Sequence, residues 1–299
     1  MPPAVLIGVE ELSERLDATV VLDASWIFRP FNHAGIDVRQ RYANGHIPGS
    51  WFLDLEDLSD PAARLDPRVD APTPPKEHVL RAVVSRTGAG AGSLIVVTDM
   101  DGGCTTAPFA RHALLQAGCA DVRLLDGGTP AWAAESTVGL TGEQPRFLDR
   151  RALPAASAHL GTAARTIFLD HEGFMEALRG PGGAQILDCR MGPTNEDVLP
   201  ADYAALAVPA SAFVPPGSVL DASGAGARFA TAASLRATFR QARLDPSRPK
   251  VTSCYFGLGA SVVATALEIA GEGAVRVHAG SLVEYAVRIG LVRPPAAPA

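Results

Sequence analysis

The sequence predicts an α/β fold made of two similar halves, each a mainly parallel sheet with helices on both faces. Three observations carry this. Apolar β-branched runs alternate with alanine-rich helical runs, and such alternation builds parallel sheets. The alternating unit occurs twice. A chain of 299 residues that is 47% hydrophobic is long and apolar enough for two cores.

In chain order, "TVVLDASW" is a short strand ending at Asp23. "TGAGAGS" from Thr87 lacks the Lys and Ser/Thr of a phosphate loop and reads as a turn before a strand at Leu94. "SLIVVTDMDGGCTTAPFARHALLQAGCADVRLLDGGTPAW" follows as strand, glycine turn, helix, glycine stop, strand and glycine turn. Residues 144–165 have weak periodicity and are the expected linker, dividing the chain into domains over 1–143 and 166–299. "AQILDCRM" then repeats the opening strand and ends at Asp188. "PKVTSCYFGLGASVVATALEIAGEGAVRVHAGSLVEYA" repeats the second unit. Gly118 to Gly127 and Gly271 to Gly280 are both nine residues apart, and Trp132 and Tyr285 each lie five beyond. This register sets Asp99 opposite Cys254, with a helix expected from about Ala260.

A net charge of −6 argues against non-specific nucleic-acid binding, which needs Lys and Arg to displace counterions. No apolar run reaches the roughly 18 residues of a membrane-spanning helix. The N-terminus lacks the basic and long apolar regions of a secretory signal. Four dispersed cysteines without a CxxC pair suit a reducing compartment. A cytoplasmic monomer without metal or cofactor is the expectation.

Ligands of open parallel sheets bind beyond the carboxyl ends of the strands. Cys254 stands at such an end, before a helix whose N-terminus stabilises a thiolate. A lone cysteine there is more often a small core residue, so position leaves both readings open.

"LDASWIFRPFNHAGIDVRQRYANGHIPGSWFLDLEDLSD" from Leu22, "LLDGGTPAW" from Leu124 and "VTSCYFGLGAS" decide between them. Together they resemble the tandem rhodanese family, which includes thiosulfate and 3-mercaptopyruvate sulfurtransferases. The resemblance implies two rhodanese-like domains, the first catalytically silent and the second carrying the cysteine. It implies that Cys254 takes a sulfane sulfur from a small-molecule or protein-borne donor as a persulfide and passes it to a thiol or cyanide-type acceptor. The N–H groups of Tyr255, Phe256, Gly257, Leu258 and Gly259 would cradle the sulfur anion. His46 and Asp37 match a proton-relay pair, although "GHIPG" also reads as a structural turn. Asp188 and Arg190 match a supporting Asp-x-Arg, with Cys189 between them a core thiol.

Other positions depart from the family. Tyr255, Phe256 and Gly259 replace its basic and hydroxyl loop residues, and "MGPTNEDVLPADYAALAVPAS" from Met191 lacks its donor-binding arginines. Arg111 and Arg228 are the candidates to replace them. An anionic donor in a partly buried pocket needs such a partner, so the loop favours an apolar, aromatic or protein-borne donor. The alternative is a weak or inactive rhodanese-like binding module. A phosphatase is disfavoured because the position six past the cysteine is Ala260.

Overall fold

A computed structural model describes residues 4–28, 35–69, 71–90, 92–148, 166–180, 183–192, 199–203, 205–210, 212–273 and 275–295. In these segments the strands are β1 (Leu6–Ile7), β2 (Val20–Asp23), β3 (Trp51–Leu53), β4 (Leu94–Thr98), β5 (Asp121–Leu125), β6 (Arg146–Leu148), β7 (Phe168–Leu169), β8 (Gln185–Asp188), β9 (Ala212–Phe213), β10 (Leu220–Asp221), β11 (Arg228–Phe229), β12 (Lys250–Ser253) and β13 (Val275–His278). The helices are α1 (Val9–Glu14), α2 (Val38–Asn44), α3 (Leu55–Leu58), α4 (Glu77–Thr87), α5 (Ala107–Gln116), α6 (Gly128–Glu135), α7 (His171–Arg179), α8 (Ala232–Gln241), α9 (Leu258–Ala270) and α10 (Ser281–Arg288).

The strands form two sheets whose neighbours are all parallel, ordered β1-β5-β4-β2-β3-β6 and β7-β13-β12-β8-β9. Apart from β6, the second order repeats the first strand for strand. A short antiparallel ribbon, β10 with β11, stands apart. Both central strands of each sheet, β4 with β2 and β12 with β8, are nearly all buried, as expected for parallel strands covered on both faces.

Hydrogen bonds repeat with the fold. Ala24 N–H donates to Thr98 O at 2.9 Å, and Cys189 N–H to Ser253 O at 2.7 Å. Thr129 N–H donates to Asp99 O at 3.1 Å, and Leu282 N–H to Cys254 O at 3.0 Å. Asp99 and Cys254 are therefore equivalent positions, as the glycine spacing predicts. Both lie one residue past the strand.

Most of the expected linker falls on residues 149–165, outside the described residues. Its beginning is not a linker, because β6 pairs with β3 and completes the first sheet. Two apolar residues in "RFLDR" are too short a signal to separate a strand from a connection.

The halves meet through apolar and ionic contacts. The Phe109 and Phe168 rings meet at 5.2 Å, tilted by 54°. The Gln116 side chain accepts the N–H groups of Ile167 and Phe168 at 3.0 and 2.7 Å. On facing helices, Arg111 and His112 of α5 each reach a carboxylate oxygen of Glu268 on α9 at 3.0 Å. Burial would raise the Glu268 carboxyl, but the His112 hydrogen bond and the Arg111 charge outweigh it and hold it down at about 2.

Candidate active site

The chain leaves β12 at Ser253 and turns through Cys254, Tyr255 and Phe256 into Gly257, where φ is +98°. A Cβ at Gly257 would stand 2.6 Å from Ala279 O, so glycine is required for both conformation and room. α9 starts at Leu258, two residues earlier than the sequence indicated, because this glycine lets the helix begin directly off the turn. The Gly257 N–H donates to Cys254 Sγ at 3.1 Å. The next three N–H groups, of Leu258, Gly259 and Ala260, open the helix, where no intrahelical acceptor exists. They are the remaining donors available to a sulfur anion.

Ser281 holds the cysteine from behind. Its Oγ accepts the Cys254 N–H at 3.0 Å, donates to His278 O at 2.7 Å and lies 3.9 Å from Sγ. Ser281 has φ +50°, a left-handed position that the first half fills with Gly128 at +59°. Sequence reading missed it. Nothing in "AGSL" marks this serine as the residue that touches the cysteine. Below it, His278 stacks on Phe174 at 3.9 Å and its Nδ1 lies 3.2 Å from Ser253 Oγ. Burial pushes His278 down, with Glu284 opposing.

Asp188 and Arg190 form a buried two-pronged pair. Arg190 Nε and Nη2 reach Asp188 at 2.9 and 2.7 Å, and Nη1 donates to Leu206 O at 3.0 Å. The guanidinium also lies 5.9 Å from the Tyr255 ring centre, so the pair braces the loop. Cys189 is buried, and burial followed by the Cys254 and Asp188 charges raises its thiol well above the ordinary range.

His46 and Asp37 are not brought together. Asp37 is an exposed N-cap of α2, accepting Gln40 N–H at 3.0 Å. His46 is 1% exposed, bridges to Thr141, stacks on Tyr42 at 4.6 Å and places Nδ1 3.0 Å from Tyr42 O. Burial lowers its pKa, which favours the neutral ring. Neither lines the cavity at Cys254. A turn histidine satisfied by a backbone carbonyl is what the geometry holds. Arg111 and Arg228 are also committed elsewhere, to Glu268 and to Asp126 and Glu135.

Cys254, 3% exposed, opens on a cavity of about 370 Å³ between the halves. Its wall is mostly apolar, with Trp26, Phe28, Met191, Tyr255, Phe256 and Leu258 on it and Asp101 and Thr105 its polar side chains besides thiols. Among the described residues no Lys or Arg lines it, and no three His, Cys, Asp or Glu cluster to hold a metal.

A rhodanese-like domain profile matches residues 9–135. SseB of Mycobacterium tuberculosis, which bears the name of a thiosulfate sulfurtransferase, is 30% identical over 94% of this chain and 93% of its own. The chain belongs to the rhodanese family. The human 3-mercaptopyruvate sulfurtransferase is 27% identical, with 90% of this chain and 85% of that one aligned. In fold, this rhodanese superposes on Tum1 of Saccharomyces cerevisiae with a TM-score of 0.74 at 23% identity, covering 97% of each chain. SseA of Escherichia coli gives 0.70 at 23% identity over 92% of this chain and 98% of the other. As a rhodanese it is a sulfurtransferase, and such enzymes take a sulfur donor and an acceptor.

Proposed function

We propose that this rhodanese moves sulfane sulfur through a persulfide on Cys254. The Cys254 thiolate attacks the donor's outer sulfur. A new S–S bond forms, and the donor remnant leaves with the electron pair of the broken bond. An acceptor then attacks the outer sulfur, and that S–S electron pair returns to Cys254. The observation carrying this reading is the Gly257 N–H on Sγ at 3.1 Å, at the N-terminus of a thirteen-residue helix and on a cavity. An outer sulfur about 2 Å beyond Sγ advances toward the open helix N–H groups, which supply the rest of the cradle.

The donor is organic or protein-borne, since an anion in this apolar cavity would lack a cationic partner among the described residues. His46 and Asp37 act structurally, Asp188 and Arg190 brace the loop, and the protein works as a cytoplasmic monomer of two domains. The burial of Cys254 favours a second reading, an inactive binding module. Mass spectrometry after incubation with polysulfide, mercaptopyruvate, thiosulfate and a protein persulfide separates the two. The expected result is an adduct of about 32 Da on Cys254, absent in Cys254→Ser, with a transfer rate at least ~10³-fold lower in that variant. No adduct from any donor would leave the binding module standing.

A further inference from the structure

The cavity at Cys254 has the furniture of a cation site. Four rings run along it in sequence. Trp26 lies 5.9 Å from Phe28, Phe28 lies 4.9 Å from Phe256, and Phe256 lies 6.4 Å from Tyr255, centre to centre. All four line the cavity. Aromatic faces are electrostatically negative and hold ammonium groups within about 6 Å. At the rim of the same cavity stands the Asp101 carboxylate. It belongs to the loop that Asp99 organises, and Asp99 lies behind it.

The charges nearby point the same way. Cys104, a thiol on the cavity wall, is pushed up by burial and then by Asp99, Asp101 and Asp126. Asp101 itself is raised to about 6 by shielding within the loop and then by Asp99, with Arg41 of α2 a smaller opposing influence. Arg190, beside Tyr255, is occupied by Asp188. A small dianion entering this space meets the Asp101 carboxylate and, among the described residues, no Lys or Arg on the wall.

Resting on the persulfide reading above, we infer that the sulfur acceptor is a small organic thiol bearing a positive charge, its cationic group held among Trp26, Phe28 and Phe256 and facing Asp101. Loading adds an anionic sulfur to a site already negative, which strengthens the preference for a cation in the second half-reaction. The outer sulfur takes a proton from solvent, and the acceptor thiolate attacks that sulfur of the Cys254 persulfide. The S–S bond breaks, its electron pair returns to Cys254, and the product leaves as R–S–SH.

The test uses the full chain, loaded from a protein persulfide, checked by mass and freed of excess. At pH 8, where Asp101 is charged, it is discharged with thiocholine, 2-mercaptoethanol or mercaptoacetate, which are cationic, neutral and anionic thiols of similar size. Rates are compared per thiolate. Thiocholine is expected to react about tenfold faster than 2-mercaptoethanol, and mercaptoacetate slowest. Asp101→Asn should bring the ratio of the thiocholine rate to the 2-mercaptoethanol rate down from about tenfold to within about twofold of one, and a ratio that stays near tenfold overturns the part given to Asp101. A flat or reversed order on loaded protein overturns the inference alone. Failure to load sinks the persulfide reading and this one with it.

Discussion

The loops at Asp99 and Cys254 are the same piece of architecture with different contents. Asp99 accepts five backbone N–H groups, from Asp101 at 3.0 Å, Gly103 at 2.8 Å, Thr105 at 3.1 Å, Thr106 at 2.9 Å and Ala107 at 2.9 Å. Cys254 Sγ accepts one, from Gly257 at 3.1 Å. In each loop a glycine lies against a carbonyl at the end of the next strand or just past it. A Cβ would stand 2.5 Å from Leu125 O at Gly103 and 2.6 Å from Ala279 O at Gly257. The end of a central parallel strand followed by a helix is thus an anion cradle by construction. The first half fills it permanently with its own carboxylate. The second leaves donors over, which on the proposed persulfide reading serve a sulfur that comes and goes.

That comparison can be broken most forcefully at Asp99. Asp99→Ala strands several buried N–H groups, each costing about 1–3 kcal/mol. We expect a loss of roughly 3–5 kcal/mol in urea unfolding, about half of it recovered by Asp99→Asn. A change below about 1 kcal/mol would mean the carboxylate is not what holds the loop.

The two glycines sharpen it next. Gly103→Ala and Gly257→Ala should each destabilise by about 2–3 kcal/mol, because both demand a left-handed backbone and an occupied space. Only Gly257→Ala should also slow persulfide loading. Equal loading defects in both would erase the distinction between the loops.

Glu268 tests how firmly the halves are joined. Its carboxyl is held at about 2, below its ordinary 4.5. The stability it contributes is fully present above pH 4.5 and is lost as pH falls toward 2. Glu268→Gln should cost about 2–3 kcal/mol at pH 7, and the gap from the parent should close as pH falls from about 5 to 2. A gap that does not depend on pH would exclude the ion pair as its source.

The smallest effect is expected at Ser281. Ser281→Ala removes the acceptor of the Cys254 N–H. It should cost about 1 kcal/mol and slow loading several-fold, while Ser281→Gly, which suits the backbone but lacks the hydroxyl, should slow loading alike. Full loading by the glycine variant would assign Ser281 to backbone geometry alone.

Much of this is legible in the sequence. The glycine spacing gave the repeat register, and the register predicts the equivalence of Asp99 and Cys254 that the hydrogen bonds repeat. Strand ends at Asp23 and Asp188 were readable because buried parallel strands are continuous apolar runs closed by a polar residue. The Ser281 contact was not readable, since it joins residues 27 apart through a turn whose geometry only the fold fixes. The separation of His46 from Asp37 was hidden for the same reason: a spacing of nine residues says nothing about direction once a helix intervenes. Neither the ring sequence around the cavity nor the crossing of α5 and α9 has any local signature, because both are assembled from opposite halves.

That crossing has a mechanical side. α9 begins beneath the sulfur at Leu258 and is tied to α5 at Glu268, about 15 Å along its axis. It is a stiff rod with the cysteine turn at one end and a mooring in the other half near its far end. A change in the angle between the halves would swing that rod and displace Gly257, so the donor nearest the sulfur would register movement that starts a body's width away.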